Sequence, residues 1–334
     1  MKKIMFFRPL YSLGGTEIAM LNLIRNLNNF DIYVGYCDTS SDQHLLDRFS
    51  KYATIVNLNE VKDLEIDVFI PCSAHYNLEK SINNLKIHKT ILWIHHLVNI
   101  ETTILAKEDN DLAHIVAVSQ TTADTLKELF PKIAHKIDTI YNIIDKYEIE
   151  ESTKVPIKLQ LAKDLNLVTV SRVCKEKGFD RMIHLVKALK EKKVDFKWFI
   201  AGGNYYKDEY KRIRELYKEF DDCMEWFGFI DNPHNIVKQC DYSVLLSDEE
   251  TWGLVLTEAM ILGVPCISSD FKVAYEQIQD GKNGIILSKD NTDSYIDRID
   301  DIINNKEKYK KVVSNFSYEN KDIIEKWNKL LDEI

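Results

Sequence analysis

Proline and glycine are scarce, at 6 and 11 residues in a chain of 334. That excludes collagen-like and Pro-rich low-complexity architectures. Cysteine is sparse too. Its six copies, Cys37, Cys72, Cys174, Cys223, Cys240 and Cys266, lie far apart and form no C-x-x-C pair. They read as reduced core thiols of a cytoplasmic protein, not as a disulfide frame or a zinc site. No apolar run approaches the ~20 residues of a membrane-spanning helix. The start, MKKIMFFRPLYSLGG, has too short an apolar stretch for a signal peptide and no small-residue cleavage site, so it reads as a first β-strand. A basic excess is also missing: 44 Lys and Arg stand against 53 Asp and Glu, a net charge of −9 carried by both halves. Sequence-independent nucleic-acid binding needs a cationic footprint, and firm docking on anionic lipid needs a basic patch. Neither fits this chain, which leaves at most weak peripheral contact at the inner face of a membrane.

What is present is ordinary for a soluble globular chain: 45% hydrophobic and 29% charged residues. The length exceeds what one hydrophobic core usually serves, so two domains are expected. Short apolar runs such as KKIMFFR, FDIYVGYC, KTILWIHH, NLVTVSRV, FKWFIAG and YSVLLS alternate with amphipathic stretches such as TEIAMLNLIRNL and FDRMIHLVKALKEK. Buried strands alternating with helices predict parallel sheets covered on both faces. The pattern restarts after a charged stretch at 146–164. The reading is therefore two doubly wound α/β domains, 1–150 and 151–317, with 146–164 as a hinge and a terminal helix at 318–334 packing back on the first.

Four places can carry chemistry. Gly14 and Gly15 precede a helix near Thr16, either as a plain strand-to-helix turn or as a close approach to a bound anion. The third glycine of a G-x-G-x-x-G fingerprint is missing, and no G-K-[ST] follows. Arg172 and Lys177 stand after a strand, either as solvated charges or as cations facing a phosphate. Glu250 and Glu258 flank a helix start in SDEETWGLVLTEAM, where Thr251 to Val255 offer backbone N–H groups. They are either a capping acid and an exposed helix residue or acceptors for sugar and ribose hydroxyls. His95 and His96 close a strand, so one should face a cleft and the other the core. The string Asp109-Asn110-Asp111 reads as a solvated turn, and no cluster has metal-ligand spacing.

Ser247, Glu250, Gly253, Leu254, Glu258 and Ala259 form S-x-x-E-x-x-G-L-x-x-x-E-A, which resembles the E-x7-E signature of family 4 glycosyltransferases. GGTE (14–17) resembles that family's N-terminal GGxE loop. VAVSQTTADTL, TIYNIID and FGFIDNP resemble further segments in the family's order. SRVCKEKGFD resembles its G-R-x-x-x-x-K-G-x-D loop, with Ser171 where glycine is common. The resemblance covers nearly the whole chain.

The resemblance implies a GT-B fold, with two Rossmann-like domains facing across a cleft, the nucleotide sugar held mostly by the second domain and the acceptor by the first. It implies retention at the anomeric carbon. Arg172 and Lys177 would bind the donor diphosphate, Glu250 the sugar hydroxyls and Glu258 the ribose. Backbone at Gly253, Leu254 and Val255 would meet phosphate or sugar oxygens, and backbone at Ile230 the base. Gly15, beside Gly14, would approach the diphosphate. His95 aligns with the family's W-x-H and would contact the donor sugar or orient the acceptor, leaving His96 as a structural histidine. The expected activity is hexosyl transfer from a UDP-sugar to a glycan, lipid-linked or other hydroxyl acceptor in surface polysaccharide or glycoconjugate synthesis, without metal or cofactor. The alternatives are an epimerase or phosphorylase of the same fold, or a non-catalytic nucleotide-sugar-binding subunit.

Overall fold

The computed structural model describes residues 1–8, 14–37, 42–72, 82, 85–97, 112–155, 157–203 and 206–334. Two compact units emerge: Met1–Ile144 joined by Glu319–Ile334, and Asp145–Tyr318.

The first unit carries a seven-stranded sheet in the order β3-β2-β1-β4-β5-β6-β7. Its strands are β1 (Lys3–Phe7), β2 (Asp31–Tyr36), β3 (Thr54–Asn57), β4 (Leu64–Pro71), β5 (Leu85–Ile94), β6 (Leu112–Ala117) and β7 (Ile137–Thr139). All pairs are parallel. The order reverses between β1 and β4, the point at which open α/β sheets leave a crevice at their carboxyl edge. The terminal helix, Lys321–Glu333, belongs here. It buries Ile323, Trp327 and Leu331, four residues apart along one face. The Trp327 ring packs edge-on at 5.2 Å from Trp93 of β5. Its entry is pinned by Asn320, whose amide accepts from Ile144 N–H at 3.1 Å and donates to Ile144 C=O at 2.7 Å.

The second unit repeats the plan with six parallel strands in the order β10-β9-β8-β11-β12-β13. They are β8 (Leu165–Val170), β9 (Phe196–Ala201), β10 (Met224–Gly228), β11 (Tyr242–Leu245), β12 (Cys266–Ser269) and β13 (Gly284–Leu287). Here the order reverses between β8 and β11. The core gathers Leu165, Leu167, Phe179, Trp198, Tyr217 and Tyr242 around this sheet.

Two differences from the sequence reading have clear causes. The stretch at 146–164 opens with a helix, Lys146–Ser152, inside the second unit. Asp145 caps it by accepting from Glu148 N–H at 2.8 Å, an acid three residues before an acid that marks a helix start. The strands β7 and β13 lie in KIDTIYNIID and GKNGIIL, where polar residues break the apolar run to two or three residues and leave no strand pattern to read. All six cysteines are free, and Cys37 alone is not buried. Among the described residues no helix is long and apolar enough to cross a membrane.

Candidate active site

In the second unit, the loops after β8 and β11 meet because those strands are neighbours. Gly178 makes the meeting possible. Its φ of +77° suits glycine, and a Cβ there would lie 1.8 Å from the carbonyl oxygen of Leu246. Just before it, Lys177 donates to Glu250 Oε1 at 2.6 Å. The Ser247 hydroxyl donates to the same oxygen at 2.8 Å, while Ser269 donates to the Ser247 carbonyl at 2.6 Å. The side chains of Lys177 and Glu250 are only 19% and 15% exposed. This pair is shielded from solvent, unlike a typical surface ion pair. Arg181 braces the loop from the following helix, Phe179–Glu191. Its Nε and Nη2 donate to Leu246 C=O at 3.1 and 2.8 Å, and Nη2 reaches Asp248 at 2.7 Å. Asp248 N–H in turn donates to Glu176 C=O at 2.9 Å. Arg172 is exposed at the same edge and reaches Glu176 at 3.3 Å.

The helix Leu254–Ile261 follows Gly253, which takes φ +79° as its N-cap. It starts three residues later than the sequence pattern suggested at Thr251, because that left-handed residue breaks the run. Its first N–H groups, on Leu254 and Val255, have no intrahelical acceptor and sit at the positive end of the helix. Trp252 is turned inward, 7% exposed, and its indole N–H donates to Thr257 at 3.0 Å. Thr257 donates onward to Gln277 at 2.7 Å, so the turn is held from within. Thr251, half-buried, and Glu258 flank this turn. Glu258 has a polar neighbour of its own, His234, whose Nε2 lies 3.5 Å from Oε2. Ile230, half-buried, follows β10. The two glutamates therefore sit in separate polar settings, one cationic and one imidazole-bearing.

In the first unit, Gly14 is the extended N-cap of the helix Gly15–Ile24, and Gly15 is exposed. A Cβ on Gly14 would approach the Glu17 carboxylate at 2.9 Å. Glu17 is buried and paired with Arg8, which also donates to Cys72 C=O at 3.1 Å. His95 is 6% exposed, its ring 4.4 Å from that of Trp93 two residues earlier. Burial holds its imidazole well below the usual histidine pKa, with further lowering by the nearby charges of His96 and Arg8. It is neutral near pH 7. His96 is exposed. Trp93 and His95 share the inward face, and the next residue points out. The Asp109-Asn110-Asp111 string lies outside the described residues. Among the described residues no group of three His, Cys, Asp or Glu side chains could hold a metal ion.

The sequence brought Lys177, Glu250 and Glu258 into view, and the structure joins the first two. Arg181 and His234 were missed. Each acts on a segment distant in sequence, which a local pattern cannot reveal; only their places beside KGFD and FGFIDNP hinted at them.

Comparison with known proteins gives the same answer as the fold. A model of the family described as Glycosyl transferases group 1 matches residues 150–317. The chain is 26% identical to an uncharacterised glycosyltransferase of Haemophilus influenzae, covering 99% of this chain and all of that one. It is 28% identical to an uncharacterised 41.2 kDa protein in the cps region of Klebsiella pneumoniae. There the match covers 50% of this chain and spans only 45% of the relative's length. Among solved structures, Anabaena Alr3699/HepE in complex with UDP matches at 16% identity with a TM-score of 0.79, over the whole of both chains. That likeness establishes a GT-B fold. The family match takes in half of the chain, including both loops that carry Lys177 and Glu250, and this protein belongs to the group 1 glycosyltransferases.

Proposed function

We propose that the protein is a retaining hexosyltransferase that needs no metal and uses a UDP-sugar, with a glycan, lipid-linked or other hydroxyl acceptor in surface polysaccharide or glycoconjugate synthesis. The observation that carries this reading is the shielded Lys177–Glu250 pair at the β8–β11 reversal, beside the open N–H groups of Leu254 and Val255. Transfer breaks the bond from the anomeric carbon to the diphosphate oxygen and forms one to the acceptor oxygen on the same face. The acceptor proton passes to the departing phosphate oxygen. Charge grows on the diphosphate as the sugar becomes oxocarbenium-like. Lys177, Arg172 and the helix-start amides supply positive charge for it without an ion. Glu250 accepts from sugar hydroxyls and Glu258 from the ribose, with Ile230 backbone beside the base. On the first unit, Gly14, Gly15 and the neutral His95 are assigned to donor phosphate and sugar or acceptor contacts. The UDP held by the Anabaena structure supports the choice of nucleotide.

Purified protein incubated with a panel of nucleotide sugars, with and without excess EDTA, tests the reading. Hydrolysis or transfer from one UDP-sugar, insensitive to EDTA and giving product of the same anomeric configuration, is expected. Inverted product, or activity lost in EDTA and restored by manganese, would overturn it.

A further inference from the structure

The Ser152 hydroxyl has one proton, and it donates that proton to Ile149 C=O at 2.6 Å. Its oxygen is 2.9 Å from His234 Nδ1. With the hydroxyl proton already committed, the serine oxygen accepts, so Nδ1 carries the hydrogen. In that tautomer Nε2 is the acceptor, and it faces Glu258 Oε2 at 3.5 Å. Two acceptors at that separation repel unless donors lie against both. Their surroundings are built to keep them there. Asn232 donates to Ser152 C=O at 2.6 Å and accepts from His234 N–H at 3.2 Å. Both side chains are largely covered, at 18% and 13% exposure.

We propose that His234 is a specificity-determining residue that reads a ribose cis-diol jointly with Glu258. The two hydroxyls sit on adjacent carbons, each a donor, and their spacing suits a carboxylate oxygen and an imidazole nitrogen side by side. Glu258 takes one hydroxyl and His234 Nε2 takes the other. Ser152 and Asn232 act through His234 by fixing its tautomer and position. The site therefore selects ribonucleoside over deoxyribonucleoside diphosphates. The proposal rests on the reading of Glu258 as the ribose carboxylate.

The test is calorimetric titration of the full chain with UDP, 2′-deoxy-UDP and 3′-deoxy-UDP. The wild type should prefer UDP over one of the deoxy analogues by about tenfold or more, the worth of a shielded hydrogen bond. His234→Ala should lose that preference while holding the same deoxy analogue as tightly as the wild type does. His234→Gln, which restores an acceptor, should recover part of it. Equal weakening of all three ligands in His234→Ala would make the residue merely structural and sink the proposal. Glu258→Ala separates the two levels. If it leaves UDP binding intact, the donor-site reading falls and this one with it. If it weakens UDP while His234→Ala discriminates as the wild type does, only the role of His234 is overturned.

Discussion

Lys177 and Glu250 neutralise each other at 2.6 Å, so removing either strands a shielded charge. Lys177→Ala should lower turnover of a UDP-sugar by about 10²–10³-fold, the usual cost of losing a preorganised charge stabiliser. Glu250→Ala should lower turnover while UDP affinity, measured by titration, changes little. Comparable loss of UDP binding in Glu250→Ala would remove the assignment of this residue to the sugar. Gly178 offers a purely steric test. An added methyl meets Leu246 O at 1.8 Å in a left-handed backbone, so Gly178→Ala should cost about 1–3 kcal/mol, read from denaturant unfolding. At this scale the sequence exposed those residues whose chemistry is tied to spacing, Glu250 and Glu258 above all. It hid Arg181 and His234, because a guanidinium on Leu246 C=O and an imidazole beside Glu258 are products of chain reversal, not of local pattern.

Elements show the same division between local signal and tertiary consequence. Strands inside apolar runs such as KKIMFFR and YSVLLS declared themselves, whereas Ile137–Thr139 and Gly284–Leu287 exist because a neighbour offers a ladder to complete. The helix Lys321–Glu333 was legible from its apolar spacing. Trp327 is fully buried in it, against Trp93. Trp327→Ala should cost about 3–5 kcal/mol, visible as an earlier unfolding transition for the unit that contains Met1–Ile144. In the other unit the helix Lys306–Val313 is fastened differently. Lys310 reaches Asp241 at 2.7 Å. Burial alone would raise the Asp241 pKa, but Lys310, the Asn166 N–H and Lys306 together hold it below the usual carboxylate value. That fastening is present above the ordinary carboxylate range and lost only as pH falls through the lowered value.

For the molecule as a whole, acid should act first through the imidazoles. In the unfolded chain His95 takes a proton near pH 6.5; in the folded chain burial refuses it until well below. Between those values the unfolded state holds more protons, so stability falls as pH is lowered from about 6.5. His114, lowered by burial against the opposing pull of Asp138, adds the same sign. Denaturant titrations from pH 7.5 to 5 should show this slope, at most about 1.4 kcal/mol per pH unit for each group. His95→Gln should flatten it, and an unchanged slope would mean that His95 is charged in the folded protein. One feature of the chain path bears on how the protein is made. The first unit joins Met1–Ile144 to Glu319–Ile334, with the whole second unit between those two stretches in sequence. On the ribosome the second unit emerges complete while Trp93 still waits for Trp327, an interval of roughly 12–47 s at roughly 5–20 residues per second. Throughout that time the nascent first unit presents an uncovered aromatic face to whatever chaperone attends it.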